Sequence, residues 1–503
     1  MKAPTSRSIR LLAAAAVVLA ACGETGTTTP GGQDSVALSF TSGFSTYLGG
    51  SGIESIRDVV ADAQGNVYVT GATQSGNFPA TAGVFGANFH SSGSMLSDAF
   101  VTKYDASGHV LWSTFLGGPE YDRAYAIEVD ELGFVYVAGR AGAGFPVTPG
   151  ALQTAFAGGT QPDGAYGPQD GFVCKLKPDG SGVVFCTYFG NSSWEAIRDI
   201  AIDASHNIYI ASGSFAGDPF PSAWFANAYQ KTVRGGRDGL IVKLRSDGSA
   251  VDWATYLGGS QDEDNGNSVR VDGSGVYVVN TTHSTDMPTP NGFDHSLSGA
   301  SDLYVAKLSL DGSQLLFGTY VGGSGGEVAE THHIAVDAQG NAIVASGSTS
   351  TDFPTTPTAF QRSPVGAEDV LVVKISPTGA LVAATYVGGS GNEFAEGVAV
   401  DPAGNFYFAG GSTSSDFPVT GGQGGGGVSD AIFAVLSPDL SHLLFSRRFG
   451  GNGDDTGRSV AVSTTTAVVG GQSNSPNWPL SAAAQAGLGG SYDGVIARFI
   501  RQQ

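Results

Sequence analysis

A glycine pair placed after an aromatic strand recurs seven times along the 503 residues, and nothing else in the sequence constrains the fold as strongly. Its first members are Gly49, Gly117, Gly190, Gly258, Gly322, Gly388 and Gly450, at steps of 68, 73, 68, 64, 66 and 62 residues. The third unit departs slightly, reading Gly190-Asn191. A period of this kind points to one supersecondary unit used over and over.

Each unit runs in the same order. Five residues after the first Gly comes an acid: Glu54, Asp122, Glu195, Glu263, Glu327, Glu393 and Asp455. A short apolar strand follows, such as IAID (200–203), then a Gly-Asn turn and a second strand such as VYVTG (67–71). A long loop carries Phe-Pro or a variant: Phe78-Pro79, Phe145-Pro146, Phe220-Pro221, Met287-Pro288, Phe353-Pro354, Phe417-Pro418 and Trp478-Pro479. Then Asp98, Asp170, Asp238, Asp302, Asp369, Asp430 and Asp493 open a third strand, and a turn such as KPDGS leads to the fourth. With 76 Gly and 22 Pro and only 14% charged residues, the composition favours short strands and tight turns throughout.

Four short strands joined by turns form an antiparallel meander, and one such sheet cannot cover both of its faces. Strand IAVD (334–337) is apolar on both sides, as a sheet packed on both faces requires. Radial stacking of the sheets satisfies this, so the expected fold is all-β, a seven-bladed β-propeller. The ends are complementary. The last unit stops after its third strand (494–499), and the segment at 37–50 reads as a fourth strand without its first three. The N-terminal strand should therefore complete the last blade and close the ring.

The pattern TYLGGSGxExxxxVAVDxxGNxYxxGxTxSxDFP resembles the SBBP-type β-propeller repeat family over residues 37–500. The resemblance implies an extracytoplasmic or surface protein of bacteria or archaea, and brings no general catalytic residues with it. Departures are local: Met287-Pro288 and GSGVYVVN (273–280) in unit 4, and Ser463 in place of the strand-ending Asp in unit 7.

Residues 1–21 pair a basic start with the apolar run LLAAAAVVLAA, too short to span a bilayer and suited to a secretory leader. The run ends at Leu19-Ala20-Ala21-Cys22, which resembles a lipoprotein lipobox. Cys22 is the expected lipidation site, and residues 22–35 the tether to a body spanning 36–500. Gly23 after the Cys leans the expected location to the outer membrane or cell surface, by resemblance to lipoprotein sorting. The net charge of −21 argues against nucleic acid as a partner. The membrane through the lipid, and an extracellular protein or glycan, remain as partners of a monomer.

Candidate sites are few. The seven acids after the Gly pairs should ring the axial channel on the face that also receives the Phe-Pro loops. They read either as an acidic, aromatic-rimmed mouth for a cation, sugar or peptide, or as seven acceptors for the N–H groups of their own turns. Residues 450–455 spell GGxGxD, a calcium-binding string, but at a spacing far from the nine residues a β-roll needs. No cofactor is expected, with calcium the one ion this string leaves open. Residues 322–326 spell GxSxG between two strands, where a nucleophile elbow cannot form.

Unit 5 carries two extra residues before its first strand, EVAETHHIAVD (327–337). Glu330, His332 and His333 are weak metal candidates there, since neighbouring strand residues point to opposite faces. Cys174 and Cys186 flank the turn KLKPDGSGVVF symmetrically on a third and a fourth strand, so a disulfide is expected between them. Taken together, the sequence reads as a non-enzymatic, lipid-anchored binding platform. The alternative is a polysaccharide-active enzyme with its site at the channel mouth.

Overall fold

The computed structural model describes residues 37–502, apart from 92–95, 161–165, 218, 264–267 and 423. The leader, Cys22 and the tether lie outside the described residues. Seven antiparallel sheets form a ring, and each follows the order of its repeat. Blade 1 is Glu54–Ala61, Val67–Thr73, Asp98–Tyr104 and Val110–Leu116. Blades 2 to 6 repeat this through Phe449. Blade 7 takes Asp455–Val462, Thr466–Ser473 and Asp493–Arg501 from the C-terminal end of the chain and Phe40–Leu48 from its N-terminal end.

That last pairing closes the ring. Phe40 lies opposite Arg501 and Leu48 opposite Gly494, so the N-terminal strand runs antiparallel along the whole outer edge of blade 7. The first strand of each blade is innermost and touches the first strands of both neighbours, from blade 1 round to blade 7 and back. The core lies in the gaps between blades. Ala126, Ala138 and Val173 of blade 2 pack on Ile200, Ile210 and Leu240 of blade 3, and the other gaps repeat the arrangement. The only helix among the described residues is the single 3-10 turn Ser222–Phe225, and no helix there is long and apolar enough to cross a membrane.

The outer end of each first strand is held by its Asp. Asp62 Oδ1 accepts from the Gln64 and Asn66 amides at 3.0 and 2.9 Å, and Tyr68 donates to its other oxygen at 3.0 Å. Lys103 covers the Tyr68 ring at 4.8 Å. Blade 7 replaces Asp by Ser463, whose hydroxyl takes the turn amides of Thr465 and Thr466 at 3.3 and 3.1 Å instead.

The sulfurs of Cys174 and Cys186 are bonded at 2.05 Å, on facing residues of the third and fourth strands of blade 2. The matching pairs in other blades, Thr102 with Ser113 and Val242 with Ala254, hold small or apolar groups at the same register.

Candidate functional site: the axis of the ring

The seven repeated acids do not form an open mouth. Glu54, Asp122, Glu195, Glu263, Glu327, Glu393 and Asp455 are all buried, none more than 1% exposed. Each spends its carboxylate on its own blade. Glu54 accepts from the Gly50 amide at 2.8 Å, Thr73 Oγ1 at 2.7 Å and Ser75 Oγ at 2.5 Å. Asp122 accepts from the Gly118 and Gly142 amides, and Glu393 from the Gly389 amide and Ser412. Glu195 takes the Asn191 amide, Glu263 and Glu327 the Gly259 and Gly323 amides, and Asp455 the Gly451 amide.

The strand-opening Asp approaches the same turn. A Cβ added at Gly258 would lie 2.3 Å from the Asp238 carboxyl carbon and 2.4 Å from Glu263, so only glycine fits between the two acids. Burial, and then the Asp238 charge, push the Glu263 carboxyl up to about 7. The Phe-Pro aromatics are not a rim either. Phe78, Phe145, Phe220, Phe353, Phe417 and Trp478 are buried, and Met287 stands with them.

The unlike residues stand three positions further along the same strands. Pairing with the second strand skips one residue at Arg57 in blade 1, Tyr125 in blade 2, Glu396 in blade 6 and Arg458 in blade 7. Each is the extra residue of a β-bulge, a device that re-aims a side chain. The bulge brings backbone very close to the partner strand. A Cβ at Gly71 would sit 1.9 Å from Ser55 O, and one at Gly410 1.8 Å from Phe394 O. In blades 3 and 5 a serine replaces that glycine and donates to the equivalent carbonyl, Ser212 to Ala196 O and Ser346 to Val328 O.

These side chains meet the two-residue insertion of blade 5, which breaks the first strand into Glu327–Val328 and Ile334–Val336. His332, with a left-handed φ of 59°, carries the loop across the axis. The loop touches all six other blades. His332 Nε2 donates to Tyr125 O at 2.9 Å in blade 2 and stands 3.6 Å from Asp58 in blade 1, while Nδ1 lies 3.3 Å from Asp199 in blade 3. The His333 amide donates to Ser268 Oγ of blade 4, and the Val398 amide of blade 6 donates to His332 O. Glu330 meets Arg458 of blade 7 at 3.8 Å.

Burial opposes the charge on His332, but Asp58 and Asp199 prevail and raise it to about 9. His333 donates through Nδ1 to Ala345 O, and its burial lowers it to about 4. Of the weak metal candidates, Glu330 and His332 thus plug the axis through ion pairs, and His333 through hydrogen bonds to the backbone of its own blade and to Ser268. Among the described residues, no group of three or more His, Cys, Asp or Glu is placed to hold a metal ion.

The plug separates two environments. Towards the Gly-Asn turns lies a cavity of about 290 Å³ walled by Val and Ala of the first strands, with Asp58, Asp199 and His332 at its floor. Glu128 and Arg270 stand in its wall, and burial raises Glu128 to about 7.

Towards the Gly pairs lies a layer of guanidinium groups. Arg57 reaches Glu330 at 3.3 Å and Arg198 reaches it at 3.9 Å, while Arg458 grips both oxygens of Glu396 at 2.7 and 2.6 Å. Arg57, Arg123, Arg140 and Arg198 all stand over the Tyr125 ring, at 5.6, 5.3, 5.8 and 4.6 Å. Burial would raise the Tyr125 hydroxyl, but Arg140, Arg198, Arg123 and Arg57 bring it down to about 7. Arg57 falls to about 9, first by burial and then by repulsion from Arg123 and Arg458. The Glu330 side chain is 41% exposed, so solvent reaches this layer.

Sequence reasoning found the acids and the insertion but missed this layer. The glycines closing the second strands, Gly71, Gly139, Gly410 and Gly471, were its signal, because a glycine inside a strand marks a bulge.

The Beta-propeller repeat family (SBBP) matches residues 43–79 and 111–146. Regulatory protein FlaEY of Caulobacter vibrioides is 27% identical over 246 residues, 47% of this chain but 24% of that protein. The match thus spans about a quarter of that relative's length. Among solved structures, BamB from Moraxella catarrhalis superposes with a TM-score of 0.39 at 10% identity, over 92% of this chain and 100% of that one. Chaetomium thermophilum Raptor gives 0.44 at 8% identity, over 93% of this chain and 29% of that one. The ring is a rigid wall presenting loops on two faces.

Proposed function

We propose that this chain, a seven-bladed ring of SBBP-type β-propeller repeats, is a lipid-anchored protein of the bacterial envelope that serves as a rigid, non-enzymatic binding platform. Its binding face is the one with the Gly pairs, and its partner is an extracellular protein or polymer. One observation carries this reading. The side chains that break the repeat converge on the axis, on rigid strands, and open towards that face. The anchor rests on the Leu19-Ala20-Ala21-Cys22 sequence. Cys22→Ala should abolish palmitate incorporation, and equal labelling of the variant would remove the anchor from the proposal. A glycan array on the intact protein tests the platform. Arg458→Gln should weaken any captured ligand, and capture unchanged by it would move the binding face elsewhere.

A second reading has one observation in its favour. A tyrosine whose hydroxyl is brought down to about 7 by surrounding guanidinium groups has the chemistry of a base or nucleophile. Turnover of a captured glycan, lost in Tyr125→Phe with capture retained, would replace the platform with an enzyme.

A further inference from the structure

The arginine layer is short of anions. Four guanidiniums, Arg57, Arg123, Arg198 and Arg458, converge on the Gly-pair side of the plug. Two carboxylates answer them, and Glu396 is held at both oxygens by Arg458. The other three share Glu330 and the face of Tyr125, Arg123 also reaching the Tyr121 hydroxyl at 3.4 Å. Counting Tyr125 as a full phenolate still leaves the layer positive, in a chain whose net charge is −21.

A second observation is independent of charge. The Nε–H groups of Arg57, Arg123, Arg198 and Arg458 are buried and have no hydrogen-bond partner among the described residues. Arg57 itself is only 7% exposed. A buried donor without an acceptor costs about 1–3 kcal/mol. Arg447, Arg448 and Arg498, away from the axis, carry the same orphan singly, so it is the gathering of four around one point that calls for a shared acceptor. Glu330 cannot fill that role, because its carboxylate lies 3.3 to 3.9 Å from three of the arginines and remains 41% exposed. It occupies part of a place that holds a larger acceptor.

We infer that this layer is a binding site for an oxyanion, a carboxylate or phosphate group borne by the ligand of the Gly-pair face, with Glu330 as its internal competitor. The inference rests on the binding-platform reading and gives it a ligand chemistry. Planar guanidinium forks suit both kinds of oxyanion. The bulges matter here, since Arg57 and Arg458 reach the axis only as unpaired residues of their strands.

The test is calorimetric titration of the full-length protein with D-galacturonate and, separately, with inorganic phosphate, D-galactose serving as the neutral control. One or both anions should bind one to one, with an affinity that falls as chloride rises, and galactose should not bind. Galacturonate alone would mark a carboxylate ligand, and phosphate alone a phosphorylated one. Arg198→Gln should weaken binding at least tenfold. Because that variant could fold poorly, Glu330→Gln supplies a test in the opposite direction. Removing the competitor should tighten binding about fivefold, which a misfolded protein cannot mimic. No binding by either anion, or weaker binding by Glu330→Gln, would overturn the site. Capture on the glycan array without anion binding in solution would overturn the anion site alone and leave the platform standing.

Discussion

Two rings of side chains share the same seven strands and behave in opposite ways. The acids after the Gly pairs are alike in every blade, buried, and bound to their own turns. Three residues on, the strands present Arg57, Tyr125, Arg198, Glu396 and Arg458, alike in few blades and facing each other across the axis. The first ring answers a need each blade has, which is to tie a glycine turn to two strands. The second answers a need only the whole ring can have. In a repeat protein, a residue that recurs is evidence about the unit, and a residue that breaks the recurrence is evidence about the assembly.

The comparison presupposes a closed wall, so the largest effect should come from opening it. Deleting residues 36–48 removes the outer strand of blade 7 and exposes a sheet edge. Aggregation or loss of the cooperative transition should follow, whereas deleting 23–33 should leave the melt unchanged. Equal melts for the two deletions would show that the ring does not depend on that strand.

The repeated acid comes next. Glu54→Ala strands a glycine amide and two hydroxyls in a buried turn. It should cost about 3 kcal/mol in urea unfolding while leaving anion titration alone. A Glu54→Ala protein of wild-type stability would erase the contrast between the rings.

Acidity separates the rings by a third route. His332 keeps its proton to about pH 9 rather than 6.5, so what that proton contributes, about 3 kcal/mol, is complete below pH 6.5 and lost as pH rises through 9. Glu263, raised from 4.5 to about 7, behaves likewise, its contribution fading between those two values. Tyr125 and His333, both held low, pull the profile the other way over pH 7–10 and pH 4–6.5, so each contribution is read as a difference between wild type and its own variant. The wild-type margin over Glu263→Gln should shrink between pH 4.5 and 7, and that over His332→Gln between pH 6.5 and 9. A margin that grows across its window would contradict that assignment.

The smallest effect belongs to the cystine, the exception that sharpens the rule. Cys174 and Cys186 occur in one blade only, yet they lie within its sheet and away from the axis. Replacing both by Ser should lower stability by about 2 kcal/mol, as expected for a loop of 12 residues, and leave ligand binding intact. A change in anion affinity would show that blade 2 transmits strain to Tyr125.

How much of this was legible in the sequence follows the same division. Glycine pairs, turn asparagines and strand-opening aspartates each answer a local demand, so their recurrence displayed the blades, their number and the register of the cystine. Closure by residues 37–50 was visible because a missing strand and a surplus strand must find each other. The axis was not legible in this way. Arg57 and Arg198 lie in separate units, and only closure brings both to Glu330. Adjacent histidines on a strand looked unable to converge, which holds for an extended strand. The insertion makes residues 329–333 a loop instead, and sends Glu330 to one layer and His332 to the next.

That loop alters how the molecule fails. A ring of blades, each touching only two neighbours, is a chain of local dependences, and one blade can loosen while the far side stands. The blade 5 insertion adds a hub to the rim. Spokes run from it to Asp58, Tyr125, Asp199, Ser268, Val398 and Arg458, one in every other blade. Loosening any blade releases a spoke and leaves a buried charge or donor at the centre, so the penalty is shared by blades that never touch. Two residues inserted at 329–333 thus convert a neighbour-by-neighbour ring into a wheel that holds or collapses as one.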